Sequence, residues 1–133
     1  MKLSEIKIAV IGLGYVGLPL AIEFGKNFSV VGFDINEQRI KELLNEFDIT
    51  NEATAEEISD SKNLSFSNTI SDIDHCNYYI VTVPTPIDNM KAPDLSPLFK
   101  ATDMVGTILN KGDIVIFEST VYPGVTEDEC VPI

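Results

Sequence analysis

The chain has 133 residues, of which 21 are Asp or Glu and 9 are Lys or Arg, so its formal net charge is −12. Its length fits one domain, 44% of its residues are hydrophobic, and the acidic surplus argues against nucleic-acid binding, which needs a basic surface. No apolar run approaches the ~20 residues of a membrane helix. Because a strand begins almost at once, with no room for a signal peptide, we expect a cytoplasmic protein without a membrane anchor.

The first third of the chain has the pattern of a dinucleotide-binding βαβ unit. A strand over Lys7–Ile11 leads into the glycine turn GLGYVG at positions 12–17. A helix is predicted over Tyr15–Lys26, and a second strand over Ser29–Asp34 ends on an acid. This order and spacing are the fingerprint of a Rossmann phosphate-binding turn.

Each glycine of the turn has a separate physical task. Gly12 allows the tight turn out of the strand, Gly14 lets the backbone approach a pyrophosphate, and Gly17 lets the helix pack against the strand. The helix N-terminus then offers free N–H groups to the phosphates. Asp34 can accept hydrogen bonds from ribose hydroxyls and repels a 2′-phosphate, which favours NAD over NADP.

Further along the chain, a second helix is predicted with Asn36 as its N-cap. A short helix over Thr54–Ser59 and a strand over Leu64–Ser67 follow. The acidic residues between positions 42 and 60, Asp48 included, are interpreted as a solvated face. The buried face of the second helix is predicted from its spacing to contain Ile40, Leu43, Leu44 and Phe47.

The second half continues the alternation of strand and helix. Strands are predicted over Tyr78–Val83 and Ile114–Phe117, and the helix between them runs to about Asn110. Ser96 is expected to cap that helix, with Pro97 at its first position. The whole pattern predicts an α/β fold of Rossmann type, a doubly wound and mainly parallel sheet with helices on both faces.

The last eight residues look like the opening of another helix. Thr126 is placed as its cap and Glu129 follows three residues later, which is the spacing of a capping box. Because a helix cut in its second turn is an unusual end, we interpret residues 1–133 as one domain taken from a longer polypeptide.

The cysteines and the histidine are not expected to carry chemistry. Cys76 and Cys130 are interpreted as buried, reduced structural thiols, and His75 as a surface residue in a polar turn. No metal site is predicted.

Four segments in order, GLGYVGLPLA, FDIN with Arg39, VTVPTPID and ESTVYPG, resemble the N-terminal domain of the UDP-glucose/GDP-mannose dehydrogenase family. The resemblance implies oxidation of the C6 alcohol of a nucleotide sugar to a carboxylate with two NAD⁺. It also implies that the nucleophilic cysteine, a lysine and an asparagine lie in a later segment, so this chain alone should bind NAD without completing the oxidation.

The resemblance also assigns roles to individual residues. Thr120 is implied to lie near the reacting carbon and to position water or an oxyanion, and Arg39 to lie near the adenosine. Tyr15 either packs over the pyrophosphate or fills the start of the helix, and Glu118 either contacts the nicotinamide ribose or caps its loop. The implied cofactor-binding residues are Gly12, Leu13, Gly14, Tyr15, Val16, Gly17, Asp34, Ile35, Arg39, Val83, Pro84, Thr85, Ser119 and Thr120.

A finer resemblance concerns the substrate. The segment DITNE, from Asp48 to Glu52, is similar to the D-x-T-x-E signature of UDP-N-acetylhexosamine 6-dehydrogenases, although Glu46 stands where that branch often has glycine. This implies a UDP-N-acetylglucosamine or UDP-N-acetylgalactosamine substrate and a role in capsule or O-antigen polysaccharide synthesis. It further implies a homodimeric or larger parent, whereas this chain lacks the joining helix and is expected to be monomeric.

Two other functions fit the glycine turn. A β-hydroxyacid dehydrogenase would share it, but that group differs in the VPTPID and ESTVYPG loops. A non-catalytic NAD-sensing module would also bind NAD and would need no downstream catalytic residues.

Overall fold

The computed structural model describes residues 2–119 and 124–133. Short 3₁₀ turns lie at Leu3–Glu5 and Ile70–Asp72, and a π-type turn covers Thr126–Cys130. The regular elements are β1 (Lys7–Ile11), α1 (Gly17–Phe24), β2 (Ser29–Phe33), α2 (Glu37–Leu44), α3 (Ala55–Asp60), β3 (Leu64–Ser67), β4 (Tyr78–Val81), α4 (Ser96–Ile108) and β5 (Ile114–Phe117).

The five strands form one parallel sheet in the order β3-β2-β1-β4-β5. In its register Ile8 of β1 pairs with Val30 on one side and Tyr78 on the other, and Tyr78 pairs in turn with Ile114. Because β1 is central and the order reverses there, the carboxyl ends of β1 and β4 meet at the switch point where ligands bind in such sheets. The predicted doubly wound parallel fold is confirmed.

Alternate residues of the strands point to two separate cores, one on each face of the sheet. Ile8 and Val10 face α1, α2 and α3, whereas Ala9 and Ile11 face α4 and the C-terminal turn. Helices therefore cover both faces, which is why β1, β2 and β4 are almost continuously apolar.

The buried face of α2 differs from the prediction. Ile40 and Leu43 are buried as expected, but Leu44 and Phe47 are 63% and 56% exposed. The third buried residue of the helix is Arg39. The inward face is therefore rotated by one position from the predicted one, and it carries a cation.

The C-terminal end of α2 explains why Phe47 leaves the helix. The Phe47 N–H donates to the Glu42 carbonyl at 2.9 Å and the Glu46 N–H donates to the Leu43 carbonyl at 3.0 Å. This pair of bonds is the Schellman motif, which requires a left-handed residue at the second position after the helix. Glu46 occupies that position with φ 58°, so the glycine frequent in the related signature is the residue that the backbone favours.

Other element ends shift by a few residues. Helix α1 begins at Gly17 rather than Tyr15, and β4 ends at Val81 rather than Val83. Ser96 is the first residue of α4 and does not cap it; its N–H donates to Asp94 Oδ1 at 2.9 Å. Thr126 makes no side-chain cap either, because the last turn is entered from a helical Val125.

Several smaller predictions are confirmed. The Asn36 side chain caps α2 by accepting the Arg39 N–H, and Thr54 forms a capping box with Glu57. Both cysteines are buried and unpaired, and His75 is exposed in a turn. Within the described part of the chain, no helix has the length and apolar character needed to cross a bilayer.

We predict that Glu46→Gly stabilises the domain. A non-glycine residue in the left-handed region costs about 1 kcal/mol, so the free energy of unfolding should rise by roughly that amount in a urea titration. The matched control is Glu42→Gly inside α2, which should lower it by about 1 kcal/mol. Equal loss of stability in both variants would contradict the Schellman geometry.

Candidate functional site

A cleft of about 850 Å³ opens at the carboxyl ends of β1, β2, β4 and β5. It collects 12 of the 14 predicted cofactor-binding residues; Gly17 lies beneath it and Thr120 lies outside the described residues. Sequence analysis missed several members, including the first turns of α4. The lining residues not predicted are Ile11, Phe33, Asn36, Thr50, Thr82, Asp94, Ser96, Pro97, Lys100, Ala101 and Met104; Glu118, for which a contact with the cofactor was one of two predicted roles, also lines the cleft.

The glycine turn is held by contacts that leave no room for side chains. Gly12 has φ 95°, and its N–H donates to the Phe33 carbonyl at 2.8 Å. A Cβ on Gly17 would overlap the Gly12 carbonyl oxygen and Thr82 Oγ1. The start of α1 is therefore pressed directly onto the turn, as the motif predicted.

Gly14 differs from its neighbours because nothing lies within 4 Å of where its Cβ would be. That open space borders the cleft, next to the backbone that precedes α1. Space above a glycine at a helix N-terminus is what the close approach of a pyrophosphate requires.

Tyr15 and Val16 follow in the turn before α1 and are 69% and 56% exposed. Tyr15 therefore does not fill the start of the helix, which was one of its two predicted roles. Its ring borders the cleft instead.

Asp34 closes the site at the end of β2. Its Oδ2 accepts the Leu13 N–H at 3.0 Å and its Oδ1 accepts the Asn36 N–H at 2.9 Å. A carboxylate has about four acceptor positions, so both oxygens keep capacity for further donors. This half-buried carboxylate at the cleft fits a ribose diol.

Arg39 and Asp48 form a buried ion pair beside Asp34. Arg39 Nη1 lies 2.7 Å from Asp48 Oδ1, and Arg39 Nε donates to the Leu13 carbonyl at 2.8 Å. Arg39 Nη2 is also buried and meets no acceptor among the described residues. The guanidinium is thus fixed at the cleft wall with its Nη2 amino group unused.

Asp48 accepts five hydrogen bonds, which contradicts its prediction as part of a solvated acidic face. Besides Arg39, the donors are the hydroxyl and N–H of Thr50 and the N–H groups of Glu52 and Ala53, at 2.7–3.0 Å. The D-x-T-x-E segment is therefore a compact turn wound around one carboxylate. Thr50 brings that turn to the cleft.

The environment of Asp48 sets its ionisation. Burial alone raises the pKa of Asp48, but the hydrogen bonds from Thr50 and Arg39, with those from the Thr50 and Glu52 N–H groups, outweigh it and hold the pKa at about 2. The carboxylate is charged at neutral pH, as its pairing with Arg39 requires.

The loop after β4 supplies a residue that sequence analysis missed. Thr82 Oγ1 lies 2.6 Å from the Gly12 carbonyl and 3.0 Å from the Ile11 carbonyl, and its N–H donates to the Ile11 carbonyl at 2.8 Å. Thr82 thus binds the glycine turn to β4. The signal was a lone hydroxyl residue at the end of an apolar strand.

The loop after β5 is described only at its start. Ser119 Oγ donates to the Val83 carbonyl at 2.8 Å, which joins the two loops that the motifs placed at the cofactor. Glu118 is exposed at the cleft, so both of its predicted roles stay open. The catalytic role of Thr120 stays a prediction.

Neither cysteine has the properties of a nucleophile. Cys76 and Cys130 are 3% and 2% exposed and belong to the core on the α4 face. Burial raises the pKa of the Cys76 thiol to about 11, although nearby Lys7 opposes the shift. A reactive cysteine needs exposure and a lowered pKa, so the prediction of structural thiols holds.

The parallel sheet, the glycine turn and the acid at the end of β2 define a Rossmann dinucleotide-binding domain. Residues 6–133 match the model of the UDP-glucose/GDP-mannose dehydrogenase family, NAD binding domain. The chain belongs to this family, NAD is the cofactor of its domain, and the resemblance seen in the motifs is confirmed.

Individual relatives narrow the likeness. The chain is 61% identical to UDP-N-acetyl-D-glucosamine 6-dehydrogenase from Salmonella typhi and 58% identical to that of Pseudomonas aeruginosa, over 98% of this chain and 31% of each relative. A solved UDP-D-ManNAc dehydrogenase from Pyrococcus horikoshii superimposes with a TM-score of 0.81 at 36% identity, covering 92% of this chain and 30% of that one. The chain therefore spans about a third of the length of these relatives.

We predict that Gly17→Ala disrupts the fold itself. The added methyl would overlap the Gly12 carbonyl and the Thr82 hydroxyl, and the backbone cannot yield without moving β1 or α1. The free energy of unfolding should fall by about 3 kcal/mol or more, which chemical denaturation followed by circular dichroism measures. A variant as stable as the parent would contradict the close packing.

We predict an acid-dependent loss of stability that belongs to Asp48. Its pKa is about 2 in the folded chain and about 4 in an unfolded one, so its contribution is complete above pH ~5 and is lost as the pH falls towards 2. The size is roughly 2 kcal/mol. Asp48→Asn should be less stable at neutral pH, and its free energy of unfolding should depend less on pH between about 5 and 2. Asp60→Asn, at an exposed position, should keep the pH dependence of the parent. Parallel curves for the parent and Asp48→Asn would contradict the assignment.

Proposed function

We propose that residues 1–133 are the cofactor-binding domain of an NAD-dependent UDP-N-acetylhexosamine 6-dehydrogenase that serves polysaccharide synthesis. The observation that carries the proposal is the cleft, in which an open glycine, an acid and a buried arginine lie in the order that a dinucleotide requires. Family membership supplies the reaction class, and relatives of 58–61% identity named for UDP-N-acetyl-D-glucosamine support the sugar.

The residues divide the cofactor between them. We assign the pyrophosphate to the turn around Gly14, where no protein atom lies within 4 Å of the position that a Cβ would take and where a helix begins. We assign the adenosine ribose to Asp34, which retains acceptor positions. The nicotinamide end then lies towards the loops after β4 and β5, where Ser119 joins the loops and Thr120 is the proposed catalytic residue.

NAD⁺, when bound, accepts the hydride from the alcohol carbon. The contribution of this chain is to orient that acceptor, because all three loops are anchored to the sheet: the glycine turn by Thr82, the β2 end by Asp34 and the β5 end by Ser119. Fixed loops hold the reacting ends in register, which is a main source of rate acceleration. Thr120 would then hold water or the oxygen of the substrate.

The nucleophile that the oxidation of an aldehyde to an acid requires is not offered by this chain. Cys76 and Cys130 are buried, and the family resemblance places the nucleophilic cysteine in a later segment. The sugar chemistry is therefore proposed for the complete enzyme, in the cytoplasm where thiols stay reduced, and the oligomeric state is proposed for that enzyme as well.

The alternative is a non-catalytic NAD-sensing module, with which the lack of a reactive thiol among the described residues is equally compatible. Such a module would change its association state with NAD and would not oxidise sugars. Light scattering of the chain with and without NAD⁺ distinguishes the two proposals.

We predict that Gly14→Ala abolishes NAD⁺ binding without harming the fold. A methyl group at Gly14 meets no protein atom, so the melting temperature should stay within about 2 °C, whereas the methyl fills the space assigned to the pyrophosphate. Affinity measured by calorimetry should fall at least about 100-fold. Gly106→Ala on α4, which also meets nothing within 4 Å, is the matched control and should bind as the parent does. Normal NAD⁺ binding by Gly14→Ala would refute the assigned pyrophosphate position.

The activity is tested with the product of the complete gene beside the 133-residue chain. Each is offered UDP-N-acetylglucosamine, UDP-N-acetylgalactosamine, UDP-glucose and GDP-mannose with NAD⁺, and NADH is followed by absorbance. The proposal expects two NADH per UDP-N-acetylhexosamine and none from the short chain. Turnover of UDP-glucose alone would refute the sugar, and tight NAD⁺ binding with no turnover would favour the sensing module.

A further inference from the structure

The D-x-T-x-E turn lies against the part of the cleft assigned to adenosine, which is unexpected for a segment that resembles a sugar-branch signature. Its contact residue is Thr50, which lines the cleft together with Asp34 and Arg39. The turn follows α2 with no helix or strand between them. It is held together by the backbone N–H groups that donate to the Asp48 carboxylate. A function for Asp48 must therefore be sought on the coenzyme side.

Asp34 and Arg39 both form hydrogen bonds with the backbone of Leu13. Asp34 accepts the N–H of Leu13, and Arg39 donates to the carbonyl of Leu13. This shared residue places the acid that meets the ribose and the guanidinium beside each other at one wall. Because Asp48 holds the guanidinium at 2.7 Å, it acts on that wall through Arg39.

The charges at this wall are unequal. Asp34 and Asp48 supply two negative charges and Arg39 supplies one positive charge, so the group has a net charge of about −1. A ribose 2′-hydroxyl tolerates that charge, whereas a 2′-phosphate with nearly two negative charges is repelled. Without Asp48, the same wall would be neutral and would present an unpaired guanidinium, which is the group that accommodates a 2′-phosphate in related folds.

We propose that Asp48 is a second determinant of coenzyme specificity, a positioning residue that fixes the Arg39 guanidinium and cancels its charge so that the wall accepts NAD and rejects NADP. The inference rests on the proposed binding of NAD in this cleft. It extends the role of Asp34, because without Asp48 the Asp34 carboxylate would lie beside an Arg39 guanidinium with no other carboxylate to balance its charge.

The remaining charged groups that line the cleft do not alter the comparison. Asp94 lies just before α4, Lys100 belongs to its first turns, and Glu118 follows β5. They lie on other elements and are the same in every variant below. The test therefore changes charge only at the wall formed by α2 and the D-x-T-x-E turn.

The test compares dissociation constants for NAD⁺ and NADP⁺, measured by calorimetry on the full chain at low ionic strength. Asp48→Asn should weaken NAD⁺ binding and narrow the preference for NAD⁺ over NADP⁺ by at least about tenfold. The double variant with Arg39→Met removes both charges, returns the wall to the charge of Asp34 alone, and should restore the preference. If Asp48→Asn only loosened the turn, the affinities for NAD⁺ and NADP⁺ would fall by the same factor and the preference would not change.

The matched control lies in the same turn. Glu52→Gln also removes one negative charge, but the Glu52 side chain is exposed and only its N–H meets Asp48, so the preference should not change. If Asp48→Asn does not fold by circular dichroism, Asp48→Ser keeps an oxygen for the N–H groups of the turn and gives the same comparison.

The outcomes separate the two levels of the proposal. If the parent chain binds no NAD⁺, the proposed function fails. If the parent binds NAD⁺ but the preference is unchanged in the folded Asp48 variant, or is narrowed equally in the double variant, the inference about Asp48 is overturned and the proposed function stands.

Discussion

The contact between Gly17 and the Gly12 carbonyl is the constraint on which the rest of the site depends. It allows α1 to start directly above the end of β1, and Thr82 completes it from β4 with a hydroxyl that meets the same carbonyl. Three segments far apart in sequence thereby share one point. Between the tightly packed Gly12 and Gly17, Gly14 alone has open space where a Cβ would be.

The wall formed by Asp34, Arg39 and Asp48 shows a different principle, in which charge and hydrogen bonding rather than close packing order the side chains. A buried ion pair is weak evidence for stability, since desolvation offsets most of the attraction, and Arg39 even retains an unused donor. Its value is geometric, because the pair fixes a planar group beside Asp34. Five hydrogen bonds to one carboxylate make the wall and the Asp48 turn a single unit.

The sequence was sufficient for the sheet, the glycine turn and the caps at Asn36 and Thr54, because those features follow from local spacing and local hydrogen bonds. It failed where the structure depends on distant partners. In the sequence Asp48 is one of many acidic residues, and only the folded structure shows that it forms an ion pair with Arg39. The spacing of Leu44 and Phe47 predicts that they continue the apolar face of α2. The helix ends at that point in a Schellman turn, and both side chains remain exposed. Thr82 and the first turns of α4 line the cleft because of the order of the strands in the sheet, which no local sequence pattern specifies.

The place of the D-x-T-x-E turn bears on how such signatures are interpreted. A motif can accompany one group of substrates without touching the substrate, since it need only support the coenzyme geometry that the group shares. Here the Asp48 carboxylate accepts hydrogen bonds from Thr50 and from Arg39, and Thr50 borders the cleft. Glu46, just before the turn, follows the same logic, because its left-handed backbone sets the direction in which the chain leaves α2. The left-handed residue at position 46 and the acid two residues later therefore belong to one local structure, which places the Asp48 carboxylate against Arg39.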